Sequence, residues 1–187
     1  MKDVAAVAGV SLSTVSRVVN GSPPVAEELV TKVERAVAML GYRHNHAAGA
    51  LRRANGRSLS LGLVLEDVAD PFSAAVHRGV EDVAWERGVV TFAGSSEGDP
   101  EKERELIERT LSRRVDGLIV APVAYDYAHL VRDMAAGIAV VFIGQTPRTL
   151  DADAVLGEDG RRLGRQAAEL LFERIDGYAG PGREVAA

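Results

Sequence analysis

The sequence predicts an α + α/β protein, with a three-helix amino-terminal headpiece and then a parallel α/β body. Three observations lead there. Three helical patterns crowd the first forty residues. Beyond residue 58, short apolar runs alternate with further helical patterns. Charge divides in the same place: residues 1–60 hold eight Lys and Arg against four Asp and Glu, so the acidic excess behind the net charge of −5 lies in the remainder. A basic head on an acidic body suggests different partners for the two parts, a polyanion for the head.

The first helix is expected over Lys2 to Ala8, ending at Gly9, where a tight turn takes a positive φ at little cost. The second starts after Ser11, a good N-cap, and runs to Asn20-Gly21, a good stop. "SPP" follows, and proline is costly inside a helix, so a loop belongs there. The third spans about Ala26 to Leu40, with Leu29, Val33, Val37 and Leu40 as its apolar stripe, and Gly41 closes it. On the second helix Val15, Val18 and Val19 share one side and are expected to pack on Val4, Val7 and the third helix. Leu12, Ser13, Ser16, Arg17 and Asn20 share the opposite side. Two short helices joined by a glycine turn, the second presenting hydroxyls and a guanidinium, form a helix-turn-helix whose second helix suits a DNA major groove. Hydroxyls reach phosphates or base edges, and Arg17 is able to bond a guanine at O6 and N7 together.

Residues 42–58, "YRHNHAAGALRRANGRS", are polar, basic and glycine-interrupted, the composition of a linker or a marginal helix. Then come "LSLGLVLED" (59–67), "VVTFAG" (89–94), "VDGLIVAP" (115–122) and "IAVVFIG" (138–144), with helical patterns at about 72–87, 100–113 and 125–136 between them. Buried-type strands alternating with helices argue a parallel sheet covered on both faces. Such sheets bind ligands beyond the carboxyl ends of their strands, at a switch point in strand order. Those ends are Asp67–Phe72, Gly94–Ser96, Pro122–Ala124 and Gly144–Thr146. Phe72 is suited to stack on a ring, and Asp70, Ser96 and Gln145 to bond a polyol. His77 and His129 lack metal partners and read as structural or solvated, and Trp85 reads as packing. Leu163, Ala167, Leu170, Leu171 and Ile175 form a last helical stripe that must cap the body, pair with another chain or stay exposed.

The 187 residues contain no cysteine, hence no disulfide or thiolate site. No apolar run approaches the roughly 20 residues of a membrane span, and no signal-peptide pattern opens the chain, so the expected address is the cytoplasm with no membrane partner. There is no G-x-G-x-x-G after a strand, no P-loop, no G-x-S-x-G and no H-E-x-x-H. The carboxylates Glu66, Asp67 and Asp70 could imitate a catalytic cluster, but loops after strands are often acidic. Catalysis, cofactors and metals are not expected.

The stretch "KDVAAVAGVSLSTVSRVVNGSPPVAEE…VERAVAMLGYRHNHAAGALR" resembles the DNA-binding headpiece of the LacI (lactose repressor)/GalR-type family of bacterial regulators. "SLGLVLEDVADPFSAAVHRGVEDVAWERG" and "RRVDGLIVAP" resemble the family's effector-binding region, so the likeness extends to about residue 156. It implies a headpiece over 1–44, a hinge over 45–58, the first lobe of a periplasmic-binding-protein-like domain over 59–156, and a helix and tail over 157–187. By position, Leu12, Ser13 and Arg17 would read bases, while Ser11, Thr14, Ser16 and Asn20 would touch phosphates or hold the helix. The hinge, Asn45 to Arg52, would fold on DNA in the minor groove, with Ala48 at the slim helix contact, Leu51 as the wedge and Arg52 near phosphate. His44, where the family commonly has proline, and Gly49 depart from the pattern and would weaken hinge folding. On this resemblance the second lobe would be mostly missing, and the end of the chain resembles both the segment entering that lobe and the one closing the fold. The expectation is therefore a truncated or internally deleted form.

The function this implies is a homodimeric, sequence-specific transcription regulator, a repressor, nucleoid-associated in a bacterial cytoplasm. It would bind double-stranded operator DNA and answer to a small sugar-like effector. The alternative is a sugar-binding module of the periplasmic-binding-protein type without productive DNA binding.

Overall fold

Every apolar run expected as a strand enters one parallel sheet. The structure, a computed structural model, describes residues 1–20, 25–42 and 57–187. It divides into two compact units, Met1–Gly56 and Arg57–Ala187.

In the first unit lie α1 (Lys2–Ala8), α2 (Leu12–Val19) and α3 (Glu27–Leu40). Gly9 and Gly41 end α1 and α3 in the left-handed conformation, at φ 64° and 57°, where a side chain would be strained. The core is Val4, Val15, Val33 and Ala36, with Val10, Val18, Val19 and Val37 packed around it. Two expectations are corrected. Val7 is 48% exposed and Leu40 43% exposed, so neither joins this core. Ala36, one turn below Leu40, is small enough to let α3 close on its neighbours and takes the inner position instead.

The second unit runs β1 (Ser60–Leu65), α4 (Pro71–Glu86), β2 (Val90–Ser95), α5 (Pro100–Leu111), β3 (Gly117–Val120), a 3-10 turn (Ala128–Leu130), α6 (Val131–Ala135), β4 (Ala139–Ile143), β5 (Asp153–Leu156), α7 (Gly160–Ile175) and β6 (Glu184–Ala186). The strands lie in the order β2-β1-β3-β4-β5-β6, each neighbouring pair parallel. Alternate residues face opposite layers, as a pleated strand requires. Leu61, Leu63 and Leu65 meet α4 and α7, whereas Val64, Leu118 and Phe142 meet Ile107 of α5 with Tyr127 and Leu130. β2 is an edge strand, so its apolar run is not fully buried: Val90 and Phe92 are exposed. The helix expected over 125–136 shrinks to the 3-10 turn and α6. Tyr127 is drawn inward there, its hydroxyl donating to Glu103 at 2.7 Å and its N–H to Thr149 Oγ1 at 2.9 Å.

The stripe on α7 caps the sheet: Leu163, Ala167, Leu170 and Leu171 are buried and Ile175 packs against the same core. α7 crosses α4 at very close range, because a Cβ on Gly164 would collide with the Val76 carbonyl, and one on Gly79 with that of Arg161. Beyond α7 the chain is tied down by Asp153, which is fully buried on β5. Arg174 brackets its carboxylate with two bonds of 2.9 Å, Arg183 adds a third at 2.9 Å, and the Arg183 N–H adds one at 2.8 Å. Both guanidiniums also lie over the Tyr178 ring. Burial by itself would raise the Asp153 carboxyl, but the bonds from Arg174 and Arg183 outweigh it and hold the group well below the usual carboxylate range.

Candidate functional site

Two sites follow from these elements, one in each unit. In the first, the Ser11 side chain caps α2 by accepting from the Thr14 N–H at 3.1 Å. Its hydroxyl also lies 2.7 Å from that of Ser13 and 2.8 Å from that of Thr14, a chain of short donors at the helix start. Val15 is fully buried. On the opposite side Leu12 is 45% exposed, and Ser13 and Arg17 are exposed too. Thr14 and Ser16 are half-buried. Asn20, also half-buried, turns back on the helix, its amide donating to the Ser16 carbonyl at 2.6 Å. It therefore braces the end of α2 rather than extending the exposed face. Leu12, Ser13 and Arg17 thus share one outward surface of apolar, hydroxyl and guanidinium groups. Asn45, Ala48, Leu51 and Arg52 lie outside the described residues.

In the second unit the strand order reverses between β1 and β3, the switch point. A cavity of about 610 Å³ opens beyond the carboxyl ends of β1, β3 and β4. Its floor is Leu65, Val76, Ile143 and Leu163, and its rim carries Glu66, Asp67, Asp70, Phe72 and Gln145. Asp70 caps α4, accepting from the Ser73 N–H at 3.0 Å, and sets Phe72 in the first turn with 46% of its surface exposed. Gln145 donates to the Pro122 and Ala124 carbonyls at 3.2 and 3.1 Å, joining the β3 and β4 loops. Ser96 departs from expectation. It is fully buried, donates to the Leu65 carbonyl at 3.2 Å and is absent from the cavity lining, because the loop after β2 folds back onto β1.

Sequence reasoning missed the floor, since Val76, Ile143 and Leu163 look like ordinary core positions. It noticed Glu66 and Asp67 only as an acidic loop. Trp85, expected to pack, is 84% exposed. It lines a second groove, of about 760 Å³, with Val89 and Val90 beside the edge strand. The Nε2 atoms of His77 and His129 are buried without a hydrogen-bond partner among the described residues. No cluster of three or more metal-ligating side chains occurs among the described residues.

Comparison with known proteins matches each unit to a family. Residues 1–45 match "Bacterial regulatory proteins, lacI family", and residues 61–183 match "Periplasmic binding protein domain". The chain belongs to the lacI family of bacterial regulatory proteins. Among its LacI-family relatives, catabolite control protein A of Staphylococcus epidermidis is 32% identical over 92% of this chain and 51% of its own length. The transcriptional regulator KdgR of Bacillus subtilis is 40% identical over 64% of this chain and 35% of its own. The chain thus spans about half the length, or less, of the curated relatives it matches. A LacI-family transcriptional regulator from Silicibacter pomeroyi has a similar structure, with a TM-score of 0.66 at 25% identity over 99% of this chain and 64% of that one. The Lac repressor dimer bound to operator shares the fold, with a TM-score of 0.68 at 22% identity over the same shares. These relatives are transcription regulators, not enzymes.

Proposed function

We propose that this LacI-family chain is a repressor that binds a palindromic operator as a homodimer and answers to a small, sugar-like effector. The observation that carries the reading is the outward surface of α2, where Leu12, Ser13 and Arg17 are exposed opposite the buried Val15. Ser11, Thr14, Ser16 and Asn20 serve this surface by holding the helix or touching phosphate. Asn45, Ala48, Leu51 and Arg52 would act as the hinge in the minor groove, on the strength of the family resemblance. The effector would sit in the cavity at the switch point, against Phe72, Asp70 and Gln145. The proposed address is the bacterial cytoplasm, on the nucleoid.

Self-association is supported by the groove beside β2. Trp85 and Val90 are exposed there among three arginines (Arg78, Arg161, Arg165) and three carboxylates (Glu81, Asp82, Glu86). A patch that mixes exposed apolar side chains with both signs of charge suits a second copy of itself, as a two-fold interface requires.

Titration of duplex DNA with the full chain tests the reading. Phosphate neutralisation predicts affinity that falls steeply with salt. Arg17→Ala should weaken operator binding by about 1–3 kcal/mol and relax base preference. Equal loss on operator and random DNA would remove the base-reading role. Absence of duplex binding at low salt would leave the sugar-binding module as the surviving account.

A further inference from the structure

The cavity beyond β1, β3 and β4 has an electrical character that the proposal of a sugar-like effector does not use. Its charged lining is Glu66, Asp67 and Asp70, and no Lys, Arg or His lines it among the described residues. Beside these carboxylates stands the half-exposed Phe72 ring, over a floor of Leu65, Ile143 and Leu163. The positive end of the α4 dipole, which would favour an anion, is already occupied by the Asp70 carboxylate on the Ser73 N–H.

We infer that this cavity takes a hydroxylated ring of sugar size bearing a protonated amine, and that it rejects phosphorylated or carboxylated sugars. The inference rests on the ligand half of the proposed function and is independent of DNA binding. A phosphate entering here meets three like charges on the exposed rim of a concave, partly apolar wall. An ammonium meets attraction from the same groups. The ring is selected by Phe72 and the apolar floor, since pockets of 300–1,000 Å³ lined this way bury most of a small ligand. A bare metal ion is disfavoured, because the carboxylates do not converge into a metal-ligating cluster among the described residues.

Calorimetric titration of the full chain with glucosamine, glucose and glucose 6-phosphate, at neutral pH and low salt, tests the inference. Glucosamine should bind about tenfold more tightly than glucose, and glucose 6-phosphate about tenfold more weakly, each step equivalent to about 1.4 kcal/mol. Added salt should compress the series, as screening requires. Glu66→Gln should narrow the ratio of glucosamine to glucose affinity about threefold, the signature of a charge effect. Glu66 serves better than Asp70, whose loss would uncap α4, and Phe72→Ala should weaken all three sugars. Equal or tighter binding of glucose 6-phosphate overturns the inference. So does equal binding of glucosamine and glucose, or binding of none of the three by a chain with an intact circular dichroism spectrum. No titration contains DNA, so a failure to bind operator is recorded separately.

Discussion

Two ways of using a buried core stand side by side in this molecule. The amino-terminal unit rests on Val4, Val15, Val33 and Ala36, all of modest size, among the described residues. The body has two layers, the larger alone holding Leu61, Val80, Ile119, Val141, Leu163 and Leu171 with a dozen more. A small unit buries a smaller fraction of its surface and has less stability to lose. The head leaves Leu12, Ser13 and Arg17 of α2 exposed opposite the buried Val15, so its fold and its surface depend on the same few valines. In the body the cavity lies beyond the strand ends, and only its floor is shared with the core.

The largest effect should come from the body's buried ionic centre. Asp153→Asn leaves Arg174 and Arg183 facing a neutral amide, and removing one partner of a buried pair typically costs about 3–5 kcal/mol. Because Arg174 and Arg183 keep some contact with water, the lower end, about 3 kcal/mol, is expected. Chemical denaturation followed by a body probe checks the magnitude. The folded carboxyl lies below its unfolded value of about 3.9, so its contribution is complete above about pH 4 and is lost as pH falls towards the folded value. The variant should therefore show a flatter loss of stability below about pH 4 than the parent chain. An unchanged acid profile would show that Asp153 is not the group being titrated.

The second effect is smaller in energy and larger in consequence. Val15→Ala removes two methyl groups from a fully enclosed site, at a cost of about 2 kcal/mol. The same loss would barely shift the body, but in the head it should unfold a large fraction of molecules. Backbone NMR of the full chain would show head resonances collapsing while body resonances hold. A head that keeps its dispersion would mean that its stability does not rest on those few valines.

What the sequence made legible follows the same division. Regular spacing revealed α2, its Ser11 cap and the Gly9 turn, because helical period and capping are local. It revealed β1 to β4 for the same reason, each being a dense apolar run. Short β5 and β6 were not anticipated: a charged residue masks each strand, Asp153 in β5, whose partners Arg174 and Arg183 come from far along the chain, and the exposed Glu184 in β6. In the cavity, Asp70, Phe72 and Gln145 were found by their positions after strands. Ser96 occupies an equivalent position, yet its hydroxyl is taken by Leu65, a bond set by how one loop lies on the next strand. Local pattern therefore pointed to the rim of the cavity, and tertiary contact decided which residues line it.

Trp85 gives the smallest expected change in folding energy and the sharpest separation of packing from recognition. A tryptophan on a helix next to an apolar strand reads as core, yet this one is 84% exposed on α4. Trp85→Ala should alter unfolding free energy by less than about 0.5 kcal/mol, as for other surface positions. Burying the same ring against a second copy would make it a major anchor, since exposed aromatics at interface centres contribute about 2 kcal/mol or more. Sedimentation equilibrium should then show self-association weakened at least about tenfold in the variant, with the denaturation midpoint unmoved at concentrations where both proteins are monomeric. A variant that loses more than about 1 kcal/mol of stability would return Trp85 to the core that the sequence suggested. One that keeps both its stability and its association would move the contact between copies away from the β2 edge.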